Sequence, residues 1–538
     1  MRRHLVRLLF ALVCLLTAPG CLKRETAVQR GDREQVLHRG MGSDPTDLDP
    51  HTATNIAEMD VVSALFEGLV SEDQTDLHPV PGVASRWDVS SDLQTYTFHL
   101  RPEAKWSDGS PVTAADFIAS WRRVLTPSLA AENAGLLYVI QGAEAFHKGV
   151  AKDFSQVGVT TPNAQTLRVV LEHPTPYFLS LITHPVWLPV SLRAVSAHGG
   201  AYTRGTGWTR PGRHVGNGPF KLKEWRPNDK IILEKSPTYW DAAHVRLNAI
   251  HFYPIESAET EERTFRTGGL HLTYGLPFGK VESYRSNSPQ FLRTDPYLNT
   301  YFLRLNVRHP PLNNEKIRRA LALAVDRKGI VEKLLRGGQQ TAIAITPPGL
   351  PDYTPPAGSS ADLTAARALL TEAGYPGGKG LPSLELLHNT SANNRLIAEA
   401  VQEMWRRDLG IEVKLLNQEY KVVLAERRAG RYQILLGDWV GDYLDPTTFL
   451  DLWRSDSGNN HTGWGNPEYD ALLFAAARTA DPAARAAQLQ KAEGLVLAAA
   501  PVIPIYYNTH VFLAQPSVKG WKPTLLDHHP YKHVWLEK

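Results

Sequence analysis

Cysteine is almost absent from this 538-residue chain, and both copies, Cys14 and Cys21, fall in its first 21 residues. The body of the protein therefore has no internal disulfide and no cysteine-bound metal. Long apolar runs are missing beyond the first twenty residues, so nothing later approaches the ~20 residues that a spanning helix needs. Hydrolase signatures are missing too: there is no G-x-S-x-G elbow, no H-E-x-x-H helix and no cysteine placed to act as a nucleophile. The nearest approach to a phosphate loop, Gly377-Gly378-Lys379-Gly380, has Ala373 where the leading glycine belongs and Gly380 where Ser or Thr belongs, and reads as a turn after a helix. An excess of either charge is absent as well. Without Arg2, Arg3 and Arg7 the Lys+Arg count drops from 58 to 55, equal to the Asp+Glu count of 55. A phosphate backbone as partner calls for a basic excess that this chain lacks.

What is present begins with an export signal: Met1-Arg2-Arg3-His4, Arg7, an apolar stretch from Leu8 to Leu16, then Thr17-Ala18-Pro19-Gly20-Cys21. Small residues before Cys21 suit a signal peptidase, and cleavage there frees a thiol for a lipid. The alternative is cleavage nearby with Cys21 idle. The expectation is a signal peptide over 1–20 and a lipid-anchored tether over 21–39, because Glu25 to Arg39 is charged and poor in large apolar residues.

The remainder mixes helices and strands in an α/β pattern without repeats. Thr95 to Leu100 alternates as a half-buried strand does, and Thr113-Ala114-Ala115-Asp116 predicts a capping box that opens a helix through Trp121. From Tyr202 to Arg293 the chain is rich in Gly, Pro and aromatics and reads as irregular sheet. Further on, helices are expected from Ala361 to Ala373 and from a cap at Asn393 to Leu409, followed by a strand at Ile411, Val413 and Leu415. Two alanine-rich helices, Pro467 to Ala480 and Pro482 to Ala499, precede a last apolar strand. His528, His529 and His533 are either a metal group or a surface tail, and the tail is the simpler reading.

Several segments carry a resemblance. They are Leu65-Phe66-Glu67-Gly68-Leu69, Tyr96 to Arg101 with Ala104 to Thr113, Val215 to Leu222, Tyr239-Trp240-Asp241, Arg318 to Arg327, and Trp439-Val440-Gly441-Asp442-Tyr443 with Pro446-Thr447. In these the chain resembles the oligopeptide-binding proteins, the extracellular receptors of peptide ABC importers. That resemblance implies a two-lobed periplasmic-binding-protein-like clamp with an extra subdomain inserted in the first lobe. Lobe I would comprise 40–66, 191–294 and 509–538, the inserted subdomain 67–190, and lobe II 295–508. It implies a short peptide lying extended between the lobes, bonded by main chain to Thr54-Asn55-Ile56 on one side and Asp438-Trp439-Val440 on the other. Asp442 would meet the peptide's α-ammonium group. Arg427 would face its carboxylate, unless Arg427 and Arg428 are only a solvated helix end. Tyr420 and Tyr507 would line the cleft, as would Trp439 and Tyr443 unless these two are plain core. Leu436, Asn394 and Thr54 stand where familiar members carry charged or basic residues, which implies a narrower or shifted set of ligands. The other reading is a receptor of the same fold for a sugar, a nickel chelate or haem. No enzyme activity, cofactor, metal or nucleic acid is expected. The partners implied are a short peptide and the importer's membrane subunits, with a monomeric receptor touching a membrane only through its lipid.

Overall fold

The computed structural model describes residues 25–358 and 360–538; the expected signal peptide and Cys21 lie outside them. In chain order the elements used below are α1 (Ala27–Glu34), β1 (Val36–Gly40), α2 (Ile56–Leu65), β2 (Ala84–Val89), β3 (Thr95–Leu100), α3 (Ala114–Leu125), β4 (Val159–Asn163) and β5 (Thr166–Val170). There follow β6 (Phe220–Arg226), β7 (Lys230–Lys235), β8 (Ala249–Tyr253), β9 (Leu292–Leu305), β10 (Gln340–Thr341), α4 (Leu363–Glu372), β11 (Leu384–Asn389), α5 (Ala392–Leu409) and β12 (Val413–Gln418). The chain ends with α6 (Tyr420–Ala429), β13 (Ile434–Val440), α7 (Pro467–Ala476), α8 (Pro482–Ala499) and β14 (Val502–Leu513). Three larger sheets result, in the orders β1-β8-β7-β6, β2-β3-β5-β4 and β10-β14-β9-β13-β11-β12.

The supposed tether is corrected here. Thr26 caps α1 by accepting the Gln29 N–H, and β1 pairs in parallel with β8, from Val36 opposite Ala249 to Gly40 opposite Tyr253. Charge density misled because α1 is a surface helix: its buried residues are only Val28 and Gly31. The middle section holds three paired strands besides irregular chain.

Several of the matched segments meet in space. Asn217 Oδ1 accepts the Glu67 N–H at 3.1 Å while its Nδ2 donates to the Glu67 carbonyl at 2.8 Å. The Glu67 carboxylate accepts from the Tyr239 hydroxyl at 2.5 Å and the Trp240 indole at 2.6 Å. Gly218 donates to Leu65 O at 2.9 Å, and Ser107 donates to Gly216 O at 2.8 Å. A Cβ on Gly218 would sit 2.6 Å from the Leu65 carbonyl carbon, so only glycine permits this approach of two main chains.

Helix signals in the sequence translate closely. Asp116 accepts both the N–H and the hydroxyl of Thr113, each at 2.8 Å, and Phe117, Trp121 and Val124 of α3 are fully buried. In α5 the cap is Ser391, not Asn393, and Gly410 ends the helix at φ 68. Ile397, Val401 and Trp405 are buried there, but Leu396 of the same apolar series is exposed.

Two long strands carry the chain between the first and third sheets' surroundings. β9 and β14 run antiparallel from Leu292 opposite Leu513 to Arg304 opposite Val502, with the register broken between Pro296 and Thr300.

Candidate binding site

β13 is covered unequally on its two edges. Against β9 it pairs along its whole length, from Leu305 opposite Ile434 to Asn299 opposite Val440. Against β11 it pairs only at Ile434 and Leu435. From Leu436 to Val440 the second edge has no strand neighbour, so alternate residues there present N–H and C=O groups to whatever lies alongside. Asp438 on this stretch is exposed, and Trp439 and Val440 are half-buried. Asp438 accepts from Asn299 Nδ2 at 2.7 Å, and the Trp439 indole N–H is buried with no acceptor.

Asp442 follows this edge. Its N–H is fixed by Thr448 Oγ1 at 2.9 Å, and the preceding Gly441 donates to Leu298 O at 2.7 Å. The turn at Pro446 does not need the Asp442 carboxylate, because Asp445 performs that task. Asp445 accepts from the Thr447 N–H at 3.0 Å and is clamped by Arg485 at 2.7 and 2.8 Å. Among the described residues no cation pairs with Asp442. Burial therefore pushes its carboxyl up to about 7, against the lowering effects of Thr448 and the nearby His528. His528 is itself engaged by Glu72 at 3.0 Å.

Arg427 projects from α6, half-buried, with its Nε buried and lacking an acceptor. Desolvation lowers its pKa, and no carboxylate pairs with it among the described residues. It is Arg428, exposed beside it, that pairs with a carboxylate, Glu132 at 3.6 Å. Tyr420, about two turns earlier on the same face of α6, is 58% exposed.

Other expected residues lie differently. Thr54 and Asn55 are exposed, but they form no strand: Asn55 is the N-cap of α2, and Ile56 is the first helical residue. Pairing the segment into a ladder was the wrong local structure, since Glu58 holds it by accepting the Thr54 N–H at 3.0 Å. The Tyr507 hydroxyl both accepts from and donates to the main chain of Ala344 at 3.1 Å, which ties it into the third sheet. Tyr443 stacks on Tyr177 at 5.5 Å, and the N–H of Leu444 donates to Ser180 Oγ at 3.4 Å, so this corner is packed against the block that carries β2 to β5. Asn394 is buried and accepts from the Tyr301 hydroxyl at 3.1 Å. The histidines near the C-terminus are not a surface tail: His529 is buried on Asp527 at 2.9 Å.

Sequence reasoning missed Arg304 on β9, which is 2% exposed and donates to Asn459 O at 3.0 Å. Burial, and then Arg427, lower its pKa to about 10. Nothing in the sequence around Arg304 gave a sign of its neighbours in space.

An α/β body with an uncovered strand edge, and with an acid and a base that have no charged partner among the described residues, suits the holding of a small solute; that is the class of a solute-binding protein. The chain belongs to the bacterial extracellular solute-binding proteins, family 5, whose middle-region model matches residues 78–461. It is 36% identical over 505 residues to the periplasmic oligopeptide-binding protein OppA of Escherichia coli, covering 91% of this chain and 90% of that one. Its fold is similar to that of the murein tripeptide binding protein MppA of Escherichia coli, with a TM-score of 0.85 at 35% identity, covering 94% and 98% of the two chains. Against the unliganded open form of MppA the TM-score is 0.73, at 34% identity with 94% and 97% covered. Haemophilus influenzae OppA in complex with the peptide RPPGFSPFR gives 0.84 at 33% identity, covering 94% and 99%. The family is one of binding proteins rather than enzymes.

Proposed function

We propose that this protein is an exported lipoprotein that captures short peptides in extended form and delivers them to an ATP-driven membrane importer. The observation that carries the reading is the uncovered edge of β13 ending at Asp442, a half-buried carboxylate without a cation. A peptide laid along that edge would add a strand, its main chain bonding to residues 438–440. At ~3.3 Å per residue, the edge from Leu436 to Val440 has room for about four or five ligand residues. The ligand's α-ammonium group would supply the cation that Asp442 lacks, in a site where a charge-assisted hydrogen bond is strong. Arg427 would meet a carboxylate further along, its planar fork suiting that anion. Tyr420 and Trp439 would flank side chains, and Thr54 and Asn55 would close over from the opposite side. Tyr507 supports the floor from behind.

In this reading lobe I comprises 40–66, 191–294 and 509–538 together with α1 and β1, the inserted subdomain 67–190, and lobe II 295–508. β9 and β14 would be the hinge, bending where their register breaks. The better agreement with one form of MppA than with its open form supports a lobe arrangement that is not the open one. Lipid at Cys21 would hold the receptor at a membrane as a monomer beside the importer's membrane subunits. The names of most relatives, oligopeptide, dipeptide and murein peptide receptors beside one named for deoxycholate, support peptides over a sugar, nickel chelate or haem.

Calorimetry tests this directly. Short peptides with a free amine should bind, and their N-acetylated counterparts should bind at least a hundredfold more weakly. Equal affinity for the two would overturn the reading.

A further inference from the structure

Buried arginines in this protein are otherwise well supplied with acceptors. Arg123 pairs with Asp49 at 2.6 Å, Arg39 with Asp60 at 2.9 Å, and Arg485 with Asp445 at 2.7 Å. Arg318 donates to the carbonyls of Leu312, Asn313 and Ala499, and Arg327 to those of Ala322, Val325 and Pro504. Arg304 has one acceptor, the Asn459 carbonyl, and no carboxylate in ion-pair range among the described residues. Its guanidinium lies 5.1 Å from the Phe302 ring and 5.2 Å from the Trp453 ring.

The surroundings of Arg304 repeat the deficit. Arg427 is near enough to disfavour its charge, and Arg427 itself has no partner among the described residues. The indole N–H groups of Trp453 and Trp439 are buried without acceptors. His461 is held neutral, its pKa lowered to about 4 by burial and by Arg304, Arg427 and Arg428. One carboxylate, Asp438, is close enough to be felt, but it is hydrogen-bonded to Asn299 and makes no ion pair with either guanidinium. The two guanidiniums are thus left without a paired carboxylate among the described residues. A buried charge without a partner is costly, and the cost is relieved by whatever anion enters.

We propose that Arg304 and Arg427 together form an anion-taking subsite, so that the preferred ligand is a peptide with an acidic side chain close to its carboxyl end, bringing two carboxylates to two guanidiniums. This deepens, and rests on, the peptide reading above. Arg304 is the specificity-determining member, because Arg427 alone would be satisfied by a terminal carboxylate. The charge ordering is also physical selection against other ligands: a peptide ending in Lys or Arg would add a third cation to a pocket already short of acceptors.

The test is calorimetry at pH 7.5 on the whole folded protein, with paired tri- and tetrapeptides of alanine ending in Glu or in Gln. The Glu peptide should bind at least tenfold more tightly than the Gln peptide. In Arg304→Met, which keeps an apolar stem against Phe302 and Trp453, that ratio should fall towards one, and in Arg427→Gln it should fall as well. Equal binding of the Glu and Gln peptides to the unaltered protein overturns the subsite while leaving peptide capture intact, as does a ratio that survives both substitutions. If no free-amine peptide binds at all, the peptide reading fails and the subsite with it. Should Arg304→Met not fold, the Arg427→Gln protein and the ligand series on the unaltered protein decide the matter.

Discussion

Asp442 and Asp445 stand three residues apart in one turn and show how environment assigns a role. Asp445 is spent on Arg485 and Thr447, whereas Asp442 has its main chain fixed and its carboxylate free of any paired cation among the described residues. With its pKa raised to about 7 by burial, Asp442 in the empty protein gives up its proton only as pH rises through neutrality. The groups facing it are Thr448 and His528, the latter tied to Glu72. An ammonium ligand binds the ionised form, so affinity for a free-amine peptide should climb between pH 5.5 and 7.5. Above about 8 it should fall again, because the ligand's α-amine loses its own proton there. Titration calorimetry across that range reads the curve, and in Asp442→Asn the rising limb should vanish, with affinity at pH 7.5 reduced at least a hundredfold, the scale expected when one member of a buried charged pair is removed. The sequence singled out Asp442 only through its surrounding motif, and its role as the ammonium partner is what the calorimetry above tests. Arg304 was not singled out, because nothing local distinguishes an arginine that finds acceptors from one that does not.

At the scale of elements, the proposed reading rests on the main chain of β13 more than on its side chains. A ligand strand would take its hydrogen bonds from the edge left uncovered beyond Leu435. Methylating one central amide nitrogen of a bound peptide removes a donor and should cost roughly 1–2 kcal/mol, an order-of-magnitude figure for an amide bond with an unsatisfied partner. Competition of methylated against plain peptide measures it, and an unchanged affinity would argue against strand addition. A second element-level expectation concerns the Gly-Asn-Gly turn. Gly218→Ala drives a Cβ to 2.6 Å from the backbone of Leu65 and Phe66, and overpacking of this kind typically costs about 1–3 kcal/mol. Differential scanning calorimetry should show a lower melting temperature with peptide affinity little altered. Helix starts and stops were readable because caps act within four residues, as at Thr113 and Gly410. The sequence did not show that Thr54-Asn55-Ile56 leads into a helix, because what fixes it is a local cap: Glu58 in the first turn accepts the Thr54 N–H while its own N–H donates to Asn55.

Across the whole molecule, the C-terminal segment locks β14 to the rest of the chain. His510 on β14 bonds Asp527 at 2.8 Å and the Tyr274 carbonyl at 2.6 Å, with His529, Arg39 and Asp295 also facing the cluster. Burial opposes the charge on His510, but Asp527 overcomes it and raises the imidazole to about 9, while Asp527 is held well below the ordinary carboxylate range. For His510 the folded value exceeds the unfolded one, so its contribution is fully present below about pH 6.5 and is lost as pH rises through about 9. Asp527 has the opposite sign: its contribution is present above about pH 4 and is lost on acidification below that. The melting temperature of the unaltered protein should therefore drop between pH 7.5 and 9.5, and the drop should be smaller in His510→Gln. Equal pH dependence in the two proteins would show that this pair does not couple the tail to the fold.

The sequence by itself determined the α/β class, the ends of most helices and the family, because these rest on periodicity, caps and short contiguous motifs. Only the tertiary structure decided that α1 and β1 belong to the folded body, that Glu67 draws together the segments of Asn217 and of Tyr239-Trp240, that β13 has one bare edge, and that Arg304 and Arg427 lie near one another without a paired carboxylate among the described residues. The physical reason is that burial and partnership depend on which residues, hundreds of positions apart, the sheets bring within a few ångströms, and no local pattern encodes that.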